Sequence, residues 1–235
     1  MVGIALRRGG KLDLAERLLN TSLSLAETEG ERSNAFEELS LFHQQIGGRK
    51  TDSSRKYLAR ARKALGARPD SWWQSNTDFG LLSQTIVALK NRPWLLLRVP
   101  GLFRQYKRDI ELIRVETTKR ETVALHESLY YLYQGRLRFK VCGWLSNIIA
   151  PLTGWIRSPF DRARSTIKDA KDIHLHSNID VLAYRAVALA HLHFCEDARE
   201  DLPEIDRLVA ILNDDARTRH WADQKQQIDD HCTNP

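Results

Sequence analysis

The sequence has little cysteine, glycine and proline for its 235 residues. Its three cysteines, Cys142, Cys195 and Cys232, are far apart and form no C-x2-C pair. This pattern predicts a protein of a reducing compartment, with neither a disulfide framework nor a cysteine zinc knuckle, and we therefore expect a cytoplasmic location. The 12 glycines and 7 prolines are concentrated at breaks between periodic segments, which favours helices over many short strands.

Motifs of catalysis and of cofactor binding are also missing. The chain has no H-E-x-x-H, G-x-S-x-G, G-x-x-x-x-G-K-[ST] or G-x-G-x-x-G. Adjacent acids such as Glu37-Glu38 and Asp214-Asp215 point in different directions on a helix, so they do not form a general acid/base pair. Residues 1–9 are short and basic, without the apolar core of a secretory signal. We expect a non-enzymatic protein with no cofactor.

The histidines form two H-x-H pairs, His174/His176 and His191/His193. His191 and Cys195 are four residues apart and would share a helix face, as two metal ligands must. His191 and His193 would point in nearly opposite directions on a regular helix. We interpret these histidines as a loop pair and as polar positions at a helix end, and no metal site is predicted.

Charge is divided unevenly along a chain whose net charge is +6. Residues 49–68 carry eight Lys or Arg and one Asp, and residues 90–140 carry twelve Lys or Arg and five acids. Residues 196–235 reverse this balance, with eleven acids and five bases. A basic middle and an acidic end indicate either an anionic partner or a tail that docks on the chain's own basic face.

Apolar residues recur at three- and four-residue steps through most of the chain, which predicts amphipathic helices. Leu12, Ala15 and Leu19 begin one such pattern, and Ile179, Leu182 and Ala186 lie in the most continuously apolar one. The predicted helices are 11–28, 31–46, 53–66, 71–90, 102–117, 119–134, a helix opening at Ser158-Pro159, 178–195, 201–213 and 216–230. Glycines at positions 30, 47–48 and 135 are interpreted as helix ends.

A nearly uncharged segment, Val141 to Ile156, interrupts this pattern. It contains Trp144 and Trp155 but also Pro151 and Gly154, and it is shorter than the roughly 20 apolar residues that cross a membrane. It is predicted to be a buried helix with a loop, or a segment that lies at an interface.

The first third of the chain repeats a turn-then-helix pattern, Gly-x4-Ala-x3-Leu-x2-small-Leu. The residues that carry it are Gly10, Ala15, Leu19 and Ser22-Leu23, then more loosely Leu39, Gly47, Tyr57 and Ala64-Leu65, and in part Ala163, Ile167 and Ala170. This spacing resembles the tetratricopeptide repeat (TPR) family over about half of the chain. The resemblance implies a scaffold that holds peptides on the concave face of stacked helix pairs, and it carries no catalytic residues.

We therefore expect an all-α, TPR-like α-solenoid of antiparallel helix pairs, irregular in the middle. The predicted division is 1–135 for N-terminal helical repeats, 136–158 for the apolar irregular segment, and 159–235 for C-terminal helical hairpins with a polar cap. Because the first repeat turns at Gly10, the chain is expected either to be a fragment of a longer array or to begin with an incomplete repeat.

Two basic helices are the candidate binding site for an acidic peptide or protein partner, since clustered cations attract anions. The nine residues are Arg55, Lys56, Arg60, Arg62 and Lys63 on the first helix, and Arg104, Lys107, Arg108 and Arg114 on the second. The sequence thus predicts a non-enzymatic protein–protein interaction scaffold.

Two alternatives remain open at this point. The same cations could bind nucleic acid, with Tyr57 and Tyr106 stacking on bases, although both tyrosines are more simply read as packing inward. The second alternative is a membrane surface, bound through Trp144 and Trp155 and through the Arg-flanked stretch Trp94–Leu97. Both apolar stretches are otherwise read as parts of the core.

Overall fold

The computed structural model describes residues 12–47, 52–65, 71–117, 120–142, 150–170 and 175–233. These residues are almost entirely helical and contain no β-strand, so the expectation of an all-α protein is confirmed. No helix among them is long and apolar enough to cross a lipid bilayer. The turns predicted at Gly10 and Gly48 lie outside the described residues.

The chain divides into two compact units, Met1–Glu116 and Thr117–Pro235. In the first unit each helix packs mainly on the next one along the chain. A stack of helical pairs requires packing between chain neighbours. The helices are α1 (Leu12–Ser24), α2 (Glu29–Gly47), α3 (Asp52–Leu65), α4 (Ser71–Ala88), a 3-10 helix (Pro93–Arg98) and α5 (Val99–Glu116).

The start of α2 is fixed by a reciprocal pair of side-chain bonds at its first turn. The backbone N–H of Glu31 donates to the Thr28 hydroxyl at 3.2 Å, and the Thr28 N–H donates to the Glu31 carboxylate at 3.1 Å. This capping box satisfies two backbone donors that a helix start leaves free. Gly30 therefore lies inside a helix, and the predicted end of the first helix at this glycine is wrong.

The interior of the first unit is partly polar. Ala15, Leu19, Leu39 and Phe42 form an apolar cluster where α1 and α2 meet. Beyond it, α2, α3 and α4 are joined by a fully buried set of side-chain bonds whose members are Ser40, Ser54 and Gln84. The hydroxyl oxygens of Ser40 and Ser54 lie 2.8 Å apart. The Gln84 amide donates to Ser54 at 2.8 Å and to Ser40 at 3.2 Å.

The second unit is arranged around one central helix. Its helices are α6 (Arg120–Cys142), α7 (Ala150–Ile167), α8 (Leu175–His191), α9 (Cys195–Arg199), α10 (Leu202–Leu212) and α11 (Asp215–Thr233). Helix α8 packs against the other five. The predicted buried helix is thus confirmed, and its apolar positions, including Ile179, Ala186 and Leu189, form the core of the unit with Ile205 and Ile228.

Helix α6 does not stop at Gly135 but continues to Cys142, so the predicted boundary after residue 135 falls within a helix. Gly135 is buried against Phe160 of α7, and a Cβ added there would lie 2.9 Å from the aromatic ring. The glycine permits a close helix–helix approach, a role that the helix-end interpretation overlooked.

Helix α7 begins at Ala150 and contains Pro159, whereas a helix opening at Ser158-Pro159 was predicted. Proline has no N–H, so in a helix interior the carbonyl four residues earlier loses its donor. Here that carbonyl belongs to Trp155, and a guanidinium N–H of Arg138 on α6 donates to it at 2.6 Å. A side chain of the neighbouring helix thus replaces the missing backbone bond.

The expectation of a chain without disulfides is wrong. Cys195 at the start of α9 and Cys232 in the last turn of α11 form a disulfide, with their Cα atoms 5.5 Å apart. Cys142 is a free, partly exposed cysteine. The argument for a reducing compartment loses its basis, and the cytoplasmic location stays a prediction.

Candidate functional site

Helix α3 presents three exposed cations on one face. Lys56, Arg60 and Lys63 follow the i, i+4, i+7 spacing that aligns side chains along a helix. The Arg60 guanidinium lies 5.6 Å from the centre of the Tyr57 ring. In the part of the chain that the structure describes, neither lysine forms an ion pair with a carboxylate. The side chain of Arg55 lies outside that part.

Arg62, another predicted cation of α3, instead faces the interior of the first unit. Its Nε lies 3.1 Å and 3.2 Å from the two carboxylate oxygens of Asp78 on α4. Asp78 is almost fully buried, and the Arg62 side chain is only 23% exposed. Removing one partner of a buried ion pair leaves the other charge uncompensated, so this arginine has a structural role.

A second buried carboxyl group, Asp109 of α5, lies beside this ion pair. Burial, a hydrogen bond to Asp78 and the Asp78 charge raise its pKa to about 8, against a smaller lowering effect of Arg62. Asp109 Oδ2 has no hydrogen-bond partner among the described residues. Two carboxyl groups can lie side by side when one of them keeps a proton, and with a pKa of about 8 Asp109 is mostly protonated at neutral pH.

Glu37 of α2 is a further buried carboxyl group in this unit. Burial raises its pKa to about 7, which the Thr77 hydroxyl of α4 partly offsets by donating a hydrogen bond to the carboxylate. Acids with a raised pKa therefore lie on α2 and α5, and each has a hydrogen-bond partner on α4. These hydrogen bonds connect α2 and α5 to α4, so the two carboxyl groups contribute to packing between helices.

The predicted cations of α5 are exposed, but they belong to a different helix surface from those of α3. Arg104, Lys107 and Arg108 lie on the solvent side, and Arg114 forms a surface ion pair with Glu111 at 2.9 Å. Helices α3 and α5 both pack against α4. Of the nine predicted residues, three lie together on α3, three lie together on α5, Arg62 and Arg114 are paired with acids, and the Arg55 side chain lies outside the described part.

The aromatic side chains that could have stacked on bases are engaged inside the protein. Tyr106 is 0% exposed and lies near Phe79, with the ring centres 5.8 Å apart. Tyr57 stacks on His43 of α2, with the ring centres 5.1 Å apart and the planes nearly parallel. The inward packing predicted as the simpler alternative is confirmed for Tyr106, whereas Tyr57 is half-buried with its ring against His43, and the nucleic-acid alternative stays a prediction.

The 3-10 helix between α4 and α5 exposes apolar side chains. Leu95 is 3% exposed and anchors the turn, but Trp94 is 62% and Leu97 is 87% exposed. The interpretation of this stretch as part of the core is therefore wrong for these two residues. Residues three apart in a 3-10 helix eclipse each other, so Trp94 and Leu97 lie on the same side.

The second predicted apolar segment is only partly described, since Trp144 lies within residues 143–149, outside the described chain. Trp155 is 46% exposed, and the Arg138 guanidinium covers its ring at 4.3 Å. The Arg138 guanidinium thus makes two contacts with Trp155, a cation–π interaction with its ring and a hydrogen bond to its carbonyl. Trp155 therefore has a protein partner on one ring face.

A cluster of arginines and carboxylates joins α7 and α8 to the start of α10, and sequence reasoning missed it. At its centre Arg185 of α8, 3% exposed, lies 2.5 Å from Asp201, 2% exposed. Asp201 also accepts a bond from Arg164 at 2.6 Å, and Arg185 lies 3.0 Å from Asp161. The only hint in the sequence is an arginine within an otherwise apolar helix, which requires a buried acid nearby.

An open cavity of about 370 Å³ lies beside this cluster. Its lining is mixed: Asp201 and Arg164 belong to the ion-pair cluster, Glu204 is paired with Arg207, and Ile167 and Leu208 are apolar. Both oxygens of Asp201 accept hydrogen bonds from arginines, so this buried acid is held within the ion-pair cluster at the edge of the cavity.

His191 and Cys195, the pair weighed as metal ligands, are otherwise engaged. Cys195 is in the disulfide, and the His191 Nδ1–H donates to the Val187 carbonyl at 2.8 Å. Its ring centre lies 3.8 Å from that of His231. In the described residues, no three His, Cys, Asp or Glu side chains come together as metal ligands would.

Comparison with protein-family models, with curated proteins and with solved structures finds no match to this chain.

Proposed function

We propose that this chain is a non-enzymatic, TPR-like interaction scaffold that binds an acidic peptide or protein through the α3 cations. The observation that carries the proposal is the row of Lys56, Arg60 and Lys63 on one exposed helix face. Sequential packing of α1 to α5 supports a stack of helical pairs as its framework. Complementary charge of this kind steers association and sets partner choice.

A protein partner is favoured over nucleic acid because the nearby aromatic rings are occupied. Single-stranded nucleic acids are bound by cations together with exposed aromatic side chains. Tyr57 stacks on His43, and Tyr106 is buried. An acidic peptide needs the cations alone, with backbone and apolar contacts added around them.

The proposal can be tested by fluorescence anisotropy with two labelled probes, a peptide rich in glutamate and leucine and a single-stranded RNA oligonucleotide. The test variant reverses all three α3 charges (Lys56→Glu, Arg60→Glu, Lys63→Glu). Since exposed ion pairs contribute roughly 0.3–1 kcal/mol each, we expect the peptide to bind about tenfold or more weakly to this variant. Binding to the native chain should also weaken as salt is raised.

A matched control reverses three exposed arginines of the second unit, Arg120, Arg199 and Arg219. It changes the net charge equally and should leave peptide binding nearly unchanged. Equal loss in both variants would reduce the effect to net charge and would overturn the assignment to α3. Absence of peptide binding at low salt would overturn the acidic-partner proposal, and tighter binding of the RNA would favour the nucleic-acid alternative.

A further inference from the structure

The turn between α4 and α5 combines exposed apolar side chains with a fixed backbone. Helices α4 and α5 pack on each other, and the 3-10 helix that joins them packs on both. It therefore lies at the tip of a helical hairpin. Leu95 is held in the core while Trp94 and Leu97, on one side of the turn, are 62% and 87% exposed. Such exposure means that the two side chains protrude from the tip.

The segment around this tip has charge of one sign only. Residues 90–108 contain six Lys or Arg and no Asp or Glu. Lys90 and Arg98 are exposed close to the turn, and Arg104, Lys107 and Arg108 are exposed on α5. The first acid after them, Asp109, is buried and keeps its proton at neutral pH. Within residues 90–108, therefore, the sequence provides no carboxylate to offset this positive charge.

We propose that this tip inserts Trp94 and Leu97 into the surface of a bilayer that contains anionic lipids, while the surrounding cations bind the lipid head groups. Tryptophan prefers the boundary between head groups and acyl chains. Lysine and arginine near an anionic leaflet add attraction and extend their charged ends to the head groups. The combination of a shallow apolar insertion with basic neighbours is how peripheral proteins adsorb to such surfaces.

A bilayer fits this tip better than a folded partner does. The centre of a protein–protein interface is a packed patch with a rim that excludes water. Here two protruding side chains stand at a tip among cations, which a fluid, anionic surface can surround. The proposal goes beyond the acidic-partner function, because it uses the turn and α5 rather than the α3 cations.

The test is co-sedimentation of the full chain with vesicles of phosphatidylcholine alone and with vesicles in which about a third of the lipid is phosphatidylserine. We expect binding to the second kind to be at least tenfold tighter, because only these vesicles carry the negative surface potential. The test variant, Trp94→Ser with Leu97→Ser, changes exposed positions only and should lose most of this binding. Circular dichroism of the variant checks that it is folded.

The matched control replaces two equally exposed apolar residues elsewhere in the same unit, Leu25→Ser with Val115→Ser. Val115 lies at the end of α5 opposite the turn, so this variant should bind as the native chain does. Unchanged binding of the Trp94/Leu97 variant, or the same loss in the control, would overturn the proposal. Equal binding to both vesicle types would do so as well.

The one competing occupant is a second copy of the chain, which would cover the same apolar tip. Sedimentation velocity of the native chain and of the Trp94→Ser, Leu97→Ser variant separates the two. A dimer that the variant loses would overturn the membrane proposal, whereas a concentration-independent sedimentation coefficient together with vesicle binding supports it. The α3 charge-reversal variant should still bind vesicles, so the two proposals can fail independently.

Discussion

The protonated Asp109 makes the stability of the first unit depend on pH in an unusual direction. In an unfolded chain an aspartic acid loses its proton near pH 4. In the folded protein the pKa of Asp109 is raised to about 8 by burial and by Asp78. Between these values the folded state holds a proton that the unfolded state has released. The contribution of Asp109 to the free energy of unfolding is therefore largest below about pH 4, and it falls as the pH rises towards 8.

The size of the effect follows from the difference between the two pKa values. Each pH unit across this window lowers the free energy of unfolding by at most about 1.4 kcal/mol. From about pH 5 to pH 8, the raised pKa of about 8 therefore corresponds to a loss of up to roughly 4 kcal/mol. Glu37 adds to the same trend up to about pH 7, since its pKa is raised to that value.

The substitution Asp109→Asn isolates the contribution of this one group. Asparagine has nearly the same shape, cannot ionise, and can still donate a hydrogen bond to Asp78. Urea unfolding followed by circular dichroism at several pH values gives the free energy of unfolding of both proteins. We expect the native chain to lose stability between about pH 5 and pH 8, and the variant to lose several kcal/mol less, with the remaining slope due to Glu37 and other groups.

An exposed acid of the same unit, Asp13, provides the control. The substitution Asp13→Asn should leave the pH profile parallel to that of the native chain. If the Asp109→Asn profile were also parallel to the native one, Asp109 would be ionised in the folded protein. The raised pKa of Asp109 in the folded protein would then be refuted.

Three further changes test the packing and bonding of the second unit. Gly135→Ala places a Cβ against the Phe160 ring and should lower the free energy of unfolding by about 1–3 kcal/mol. Gly154→Ala, where a Cβ would have no atom within 4 Å, should leave the melting temperature unchanged or raise it. Reduction of the Cys195–Cys232 bond, which spans 37 residues, should lower the free energy of unfolding by roughly 2–4 kcal/mol in urea with and without reductant; no change would mean that the bond is not formed in solution. Arg138→Ala removes the donor of an exposed bond to a helix carbonyl and should cost roughly 0.5–1.5 kcal/mol, and a melting temperature equal to the native one would contradict that role.

Features that depend on local periodicity could be read from the sequence. Ala15 and Leu19 of α1, and Ile179 and Ala186 of α8, are buried as their three- and four-residue spacing predicts. The all-α class follows from many such segments. The capping box at Thr28 could also be predicted, because Thr-x-x-Glu before a helical run is its ordinary signature. The interpretation of Gly30 as a helix end conflicts with this signature.

Helix boundaries set by tertiary contacts could not be read in this way. Gly135 and Pro159 are helix breakers by local rules, yet each lies inside a helix. The glycine is required by the ring of Phe160, 25 residues further along the chain. The proline is tolerated because Arg138 of another helix donates to the freed carbonyl. Neither partner is signalled by the residues next to the breaker.

The sequence could predict where the cations of the candidate site lie, but not which of them form ion pairs within the fold. A helical projection places Lys56, Arg60 and Lys63 on one side of α3 and turns Arg62 away by about a third of a circle, so its separation from the others could have been found. Its partner could not, because Asp78 lies on another helix, α4, and their contact depends on how α3 and α4 pack. Exposure of Trp94 likewise depends on how the hairpin packs.

The central position of α8 has a consequence for how the second unit opens. Its neighbours α6, α7, α9, α10 and α11 cover it on several sides, and Asn178, Arg185 and the apolar residues between them are buried. Peripheral helices can detach singly, but the backbone amides of α8 meet solvent only when several neighbours leave together. Deuterium uptake should therefore be slowest in α8, and its rate there reports the opening of the unit as a whole.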